Sequence, residues 1–64
     1  MKKLPINARV HVDGQANQWP YERVVDTGRI LSYAKPNLYL VRLDQNREYL
    51  LFRRSDLTII PEKV

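Results

Sequence analysis

The chain has 64 residues, of which 44% are hydrophobic and 28% are charged. This is enough for one folded domain with a thin core, because a chain of about 60 residues buries only about 60% of its unfolded surface, and the composition is not that of a disordered chain. The 11 Lys and Arg against 7 Asp and Glu give a formal charge of +4 and an isoelectric point near 9.8, which attracts polyanions and acidic proteins.

The absence of cysteine and of long apolar runs excludes several kinds of structure. There are no cysteines, so the fold has neither disulfides nor thiolate zinc sites. No apolar run exceeds four residues, which excludes a transmembrane helix, and the first ten residues lack the apolar stretch of a signal peptide. We therefore expect a cytoplasmic protein stabilised by packing, with homodimer formation as a further source of stability.

The first predicted strand follows a short lead-in. Residues 1–7 carry two lysines and a proline with little periodicity, and we expect Leu4 and Ile6 to attach them to a sheet edge. In "ARVHVD", residues 8–13, every second residue is apolar, which is the period of a half-buried strand.

A loop and a long strand come next. "GQANQWPYE", residues 14–22, has a glycine, a proline and no apolar period, which predicts a long loop carrying Trp19 and Tyr21. "RVVDTGRILSYA", residues 23–34, is long for one strand, and Gly28 in its middle predicts a bulge or sharp bend there.

The second half of the chain predicts two strands, one helical turn and a last strand. "KPN" predicts the turn before the third strand, and "DQNR" predicts the turn before the fourth strand, "EYLLFR". The third strand is partly apolar on both faces, and for the fourth the sequence leaves open which face points inward. Ser55 can cap a single helical turn with its hydroxyl, "TII" predicts a short last strand, and residues 62–64 are expected to fray.

These elements predict an all-β protein of five short antiparallel strands with one short 3-10 turn. No segment has a sustained apolar period of 3.6 residues, as a helix would require. Short strands so close together must curl into a small barrel or sandwich to hide their edges. Residues 8–61 are therefore predicted to form one strongly bent barrel, between the lead-in, residues 1–7, and the tail, residues 62–64.

The order of the elements resembles that of SH3-like small barrels. The landmarks are "ARVHV", the Trp19 loop, "GRI", "YLVRLD", "EYLLFRR" and "SDLTII", which cover residues 8–60. The layout looks most like Tudor and KOW-type modules and the SH3-like C-terminal DNA-binding domain of integrases, where a Y-x-V-x-L strand precedes a basic strand, as "YLVRL" precedes "LLFRR" here. The resemblance implies a binding module without catalysis. The acidic residues that peptide-binding SH3 domains carry after the first strand are missing here.

Arginine is the strongest chemical feature of the sequence. Strand alternation places several arginines on one outer face, where guanidinium groups bind phosphate oxygens in pairs and tyrosine rings stack on bases. The predicted nucleic-acid surface consists of Arg9, Arg29, Arg42, Arg53, Arg54, Tyr33 and Tyr49. In the structural alternative, the arginines pair across the sheet with Asp26, Asp44 or Glu48 and protect the sheet edges from aggregation.

Trp19, Pro20 and Tyr21 form an apolar cluster in a loop. One alternative is that Trp19 folds back and caps an open end of the barrel. The other is a hot spot for protein binding, which would make the chain an adaptor or accessory subunit, of the kind that phages and plasmids encode, with an acidic partner. A methyl-lysine cage of the Tudor kind would require Trp19 and Tyr21 to converge with Tyr33 and Tyr49.

The sequence predicts no catalysis and no metal or cofactor site. His11 is the only histidine and lies on the polar face of the first strand without other ligands. Ser32 and Ser55 have no base at a recognisable spacing, and the seven acids are scattered. Gly14 and Gly28 stand alone, unlike the glycines of a phosphate-binding loop. We therefore expect a binding protein that is not an enzyme.

Overall fold

Five antiparallel strands in one sheet make up the fold in a computed structural model that describes residues 3–61. Residues 1–2 of the predicted lead-in and the predicted tail, residues 62–64, lie outside the described residues. The strands are β1, Arg9–Gln15; β2, Arg23–Lys35; β3, Leu38–Leu43; β4, Tyr49–Arg53; and β5, Leu57–Ile59; a 3-10 turn, Arg54–Asp56, precedes β5.

The strand order in the sheet is β4-β3-β2-β1-β5, so β4 and β5 form its edges. Among the described residues no ladder joins these two edges, and the predicted closed SH3-like barrel is therefore not confirmed. The all-β class, the five antiparallel strands and the 3-10 turn are confirmed. Two hydrogen bonds tie the loop after β1 to the edge of β4: Asn17 N–H donates to the Leu51 carbonyl at 2.7 Å, and Leu51 N–H donates to Gln18 Oε1 at 3.0 Å.

One face of the sheet forms the hydrophobic core. Val10 and Val12 of β1 point inward and are fully buried, as the alternation predicts. In β4 the register places Phe52 opposite the buried Tyr39, which turns Phe52 and Leu50 inward. The core consists of Leu4, Val10, Val12, Ala16, Ile30, Tyr39, Val41, Leu43, Phe52 and Leu57.

The lead-in is attached to the sheet through its backbone and Leu4. The Leu4 side chain belongs to the core, and its N–H donates to the Tyr39 hydroxyl at 3.0 Å. Asn7 N–H donates to the Ile30 carbonyl at 2.7 Å. Ile6 remains exposed, so of the two predicted attachment residues only Leu4 is buried.

The bulge in β2 lies after Gly28 rather than at it. Gly28 keeps regular register with both neighbouring strands, and the register shifts come between Ile30 and Ser32 and between Tyr33 and Lys35. The predicted position of the bulge is therefore wrong. A shift of one residue matters because it moves the following side chains to the other face of the sheet.

Gly28 is required for a different reason, the close approach of β3. A Cβ at this position would lie 2.5 Å from the Arg42 carbonyl oxygen and 2.8 Å from Val41 Cγ1. We expect Gly28→Ala to lower the free energy of unfolding by about 1–3 kcal/mol, measured by urea denaturation, because the backbone of β3 must move. At Gly14 the nearest atoms belong to the Asp56 carboxyl group, which can rotate away, so Gly14→Ala should cost less. Equal costs at the two glycines would contradict this explanation.

The 3-10 turn forms without the predicted serine cap. Ser55 lies inside the turn, and no side chain caps its first residue. The turn is held by its backbone instead: Arg54 N–H donates to the Asn37 carbonyl at 2.8 Å, and Leu57 N–H donates to the Arg54 carbonyl. The first of these bonds links the end of β4 to the turn between β2 and β3.

Candidate functional site

Three arginines lie side by side across the outer face of the sheet. Arg9 of β1 is opposite Arg29 of β2, and Arg29 is opposite Arg42 of β3. Tyr49 of β4 is the next residue in this line, opposite Arg42. Because neighbouring strands are about 4.8 Å apart, the arginine row, Arg9, Arg29 and Arg42, is about 10 Å long, and Tyr49 lies one strand further.

The arginine row lines a recess of about 310 Å³. Arg47, in the turn between β3 and β4, adds a fourth guanidinium, and Asp44 is the one carboxylate in the lining. Four positive charges and one negative charge give this arginine recess a formal charge of +3. Leu31 and Leu43 complete its wall. The recess thus holds most of the excess positive charge of the chain.

Asp44 is fixed at the edge of the recess by β1 and β2. Its carboxylate accepts a hydrogen bond from the Thr27 hydroxyl and forms an ion pair with Arg9 Nη1 at 3.0 Å. Its backbone N–H donates to the Thr27 carbonyl at 3.0 Å. The hydrogen bond from Thr27 is the main reason that the pKa of Asp44 lies below its ordinary value of 3.8; attraction to Arg9 and Arg29 also lowers this pKa, and desolvation opposes the shift.

The lowered pKa of Asp44 predicts a loss of stability at acid pH. A carboxyl whose pKa is lower in the folded than in the unfolded chain adds stability above pH 3.8, and this stability is lost as the pH falls through the folded pKa. In urea denaturation below pH 3.8, the unfolding free energy of Asp44→Asn should fall less with decreasing pH than that of the unsubstituted protein. Asp13→Asn, which removes the exposed partner of Arg23, is the control. An acid profile unchanged by Asp44→Asn would contradict the assignment.

Asp44 partly neutralises the arginine row through its ion pair with Arg9 and its attraction to Arg29. Arg9 pairs with Asp44, as the structural alternative predicts. Asp26 instead accepts backbone N–H groups of its own neighbour and of the turn after β3, and Glu48 accepts a side-chain hydrogen bond within that turn. No carboxylate of residues 3–61 lies within ion-pair distance of Arg42. Cross-strand pairing therefore explains Arg9 and does not explain Arg42.

Two members of the row, Arg9 and Arg29, are held in position before any ligand binds. Arg9 is fixed by Asp44, and Arg29 Nη1 donates to the Asn7 carbonyl at 2.6 Å. Arg42 is exposed on the outer face of β3. Guanidinium groups on strands, with two of them restrained, lose less side-chain entropy on binding than free ones would.

Arg53 and Arg54 lie apart from the row. Arg53 is on the outer face of β4, four residues and about 13 Å along the strand from Tyr49. Arg54 begins the 3-10 turn, and the two arginines line a separate shallow recess with Asn37 and Ser55. The predicted arginine surface therefore consists of two separate parts, the arginine row and the Arg53–Arg54 pair.

Tyr33 packs against the core and does not face the arginines. It is in register with Tyr39, with ring centroids 5.3 Å apart in an edge-on arrangement, and the Lys3 Nζ atom lies 4.3 Å from its ring centre. The predicted position of Tyr33 is wrong because the bulge after Ile30 reverses the alternation. Tyr33 and Tyr49 consequently lie on opposite faces of the sheet, so the four-residue aromatic cage does not form.

Trp19 projects into solvent at the tip of the loop between β1 and β2. Its exposed fraction is 81%, and Pro20 and Tyr21 are exposed beside it. The alternative in which Trp19 caps an end of the barrel is therefore wrong. Ala16 is the residue of this loop that enters the core, and Asn17 and Gln18 bind the edge of β4.

Sequence reasoning missed Arg47 and Asp44 as parts of the site. Both belong to the turn that directly follows Arg42 and β3, and the turn brings them back over the end of the row. The signal was present in "RLDQNR", where two arginines flank a predicted turn. Strand alternation could not reveal these two residues, because alternation assigns a face only to residues within strands and both residues lie in a turn.

The chemistry of the recess is that of oxyanion binding by guanidinium groups. Within residues 3–61 no three His, Cys, Asp or Glu side chains are grouped so that they could hold a metal ion. The same residues include no helix with the length and apolar character needed to cross a membrane. Comparison with known proteins finds no match: no family model fits the chain, and no curated protein and no solved structure is significantly similar to it.

Proposed function

We propose that this chain is a small non-catalytic module that binds the phosphates of DNA or RNA in the arginine recess, with Tyr49 at the end of the arginine row. The observation that supports this most is the direct register of Arg9, Arg29 and Arg42 on three adjacent strands. Like charges directly opposite each other destabilise a sheet, whereas opposite charges at the same positions would stabilise it. Places where a chain accepts such a cost are often functional.

The proposed module binds the backbone of a nucleic acid without reading its sequence. Phosphate contacts position a protein on nucleic acid but carry no base information, so sequence specificity should be weak. An SH3-like architecture and a cytoplasmic location belong to the same proposal. The long β2, the pairing of β5 with β1 and the 3-10 turn before β5 support the architecture.

An NMR titration tests the proposal directly. The isotope-labelled chain is titrated with a short DNA duplex, a single strand and an RNA hairpin at 50 and 200 mM salt. Three phosphate contacts predict that affinity falls about 20- to 40-fold between these salt concentrations, because each contact releases counterions. Shifts should cluster on Arg9, Arg29, Arg42 and Tyr49 and should shrink at the higher salt. No shifts with any ligand at 50 mM salt would overturn the proposal.

A second candidate function is a protein-interaction adaptor centred on Trp19, Pro20 and Tyr21. The 81% exposure of Trp19 favours it, because exposed tryptophans are common centres of binding energy at interfaces. Such an adaptor would use the arginines to select an acidic partner. Its affinity should fall sharply in Trp19→Ala, and its salt dependence should be shallower than the steep dependence expected of phosphate binding.

A further inference from the structure

The loop that carries Trp19 is braced on both sides while its tip is left in solvent. Before the tip, Asn17 N–H donates to the Leu51 carbonyl at 2.7 Å, and Gln18 Oε1 accepts from Leu51 N–H at 3.0 Å. After it, Tyr21 N–H donates to the Gln18 carbonyl at 2.6 Å. A large apolar side chain left in water forgoes the favourable free energy of burial. The residues on both sides of Trp19 are therefore held in place, while the indole ring stays open to a ligand.

This loop lies beside β4, the strand on which Tyr49 follows the arginine row. Tyr49 and Leu51 both point outward from β4 and are about 7 Å apart along the strand. Gln18, next to Trp19, is bonded to Leu51, so the loop lies against the β4 edge two residues along the strand from Tyr49. Tyr49 itself is 55% exposed. On the outer face, the positive charges of β1, β2 and β3 are thus followed by the exposed Tyr49 of β4, and the loop with the exposed Trp19 adjoins the edge of that strand.

Positive charge next to exposed aromatic rings suits single-stranded nucleic acid better than a duplex. Arginines bind phosphates of either form, but aromatic side chains stack on bases only where the bases are unpaired and unstacked. A duplex keeps the faces of its bases covered, so Trp19 and Tyr49 would gain nothing from it. Each stacked base raises affinity by about 5- to 150-fold.

We infer that the ligand of the arginine recess is single-stranded nucleic acid, whose phosphates follow the arginine row and whose bases stack on Tyr49 and Trp19. The inference rests on the proposed function and adds the form of the ligand. It also assigns the Trp19 loop to the same site instead of to a separate protein partner.

Intrinsic fluorescence provides the first measurement, because Trp19 is the only tryptophan in the chain. The chain is titrated with oligothymidine, oligouridine, a DNA duplex of equal length and inorganic polyphosphate. We expect quenching and the tightest binding with the two single strands; their ratio shows whether DNA or RNA is preferred. Polyphosphate carries the charge without bases and should bind through the arginines alone.

Variants then separate stacking from charge in anisotropy titrations with labelled ligands. Trp19→Leu and Tyr49→Leu should each weaken binding of oligothymidine by about 5-fold or more and leave polyphosphate binding within about 2-fold. Ile59→Ala, which removes apolar surface at the opposite edge of the sheet, is the matched control and should change neither.

The outcomes distinguish this inference from the proposed function. Duplex and polyphosphate binding as tight as single-strand binding, with Trp19→Leu without effect, would overturn the single-strand inference and leave the phosphate-binding proposal in place. No binding of any of the four ligands at 50 mM salt would overturn both. A loss of oligothymidine binding in Trp19→Leu, with polyphosphate binding retained, would support both.

Discussion

Replacing Arg29 and Arg42 together by glutamine should weaken nucleic-acid binding by about 100-fold at 50 mM salt. Two lost phosphate contacts lower the slope of log affinity against log salt by about 1.4 for a single strand and 1.8 for a duplex, and the affinity loss follows if the electrostatic contribution vanishes near 1 M salt. The measurement is the affinity at four or more salt concentrations. The slope is the informative quantity, because a general loss of structure would lower affinity without this change of slope.

Folding stability should respond differently to the same substitutions. Arg42 makes no ion pair with the described residues and faces Arg29 across the strands, so Arg42→Gln should leave the unfolding free energy unchanged or raise it by about 0.2–1 kcal/mol. Arg29→Gln also loses the hydrogen bond to the Asn7 carbonyl, which offsets that gain. Lost binding with retained stability would be the signature of a functional row.

The matched control removes the same number of positive charges at a place outside the arginine row. Arg53→Gln with Arg54→Gln also removes two positive charges, but these residues line the separate recess at the end of β4. The control variant should lose much less affinity than the row variant. If both variants lose the same affinity, only the total charge of the chain matters, and the arginine recess is not a site.

Phe52→Ala should remove a large part of the free energy of unfolding. Phe52 is fully buried opposite Tyr39, and removing such a ring costs about 3–5 kcal/mol. Domains of this size have a total stability of about 3–10 kcal/mol. Circular dichroism and urea denaturation at 25 °C measure the loss.

The neighbouring residue provides the control for this core assignment. Leu51 is on the outer face of β4, opposite Leu40, and is only half-buried. Leu51→Ala should therefore cost about 1 kcal/mol, much less than Phe52→Ala. Similar costs at both positions would contradict the assignment of Phe52 to the core face and Leu51 to the outer face.

Local patterns of the sequence predicted the strands and turns well, but they did not always predict which face of a strand points inward. The alternation in "ARVHVD" gives the inward face of β1 correctly, because a period of two is a property of a few neighbouring residues. "KPN" marks the turn between β2 and β3, where Asn37 adopts the positive φ that follows a proline in type II turns. In "EYLLFR" both faces are apolar, so only pairing with β3 decided that Phe52 points inward.

The position of the bulge could not be derived from the sequence. Gly28 is the residue that suggests a bulge, but the strand shifts register after Ile30, where β2 and β3 must fit each other. A bulge depends on two strands at once, and its effect is large because it reverses every following side chain until the next shift. Tyr33 was misplaced for this reason.

The sequence by itself determined that this is a small all-β protein with excess positive charge, alternating strands and an aromatic loop, because composition, period and turn residues are properties of short segments. The tertiary structure decided which arginines meet. Pairing between strands brings Arg9, Arg29 and Arg42 into one row, the turn after β3 adds Arg47 and Asp44, and the bulge removes Tyr33. Register and bulges depend on how residues distant in sequence pack together, so a candidate site built across strands emerges only when the sheet is assembled.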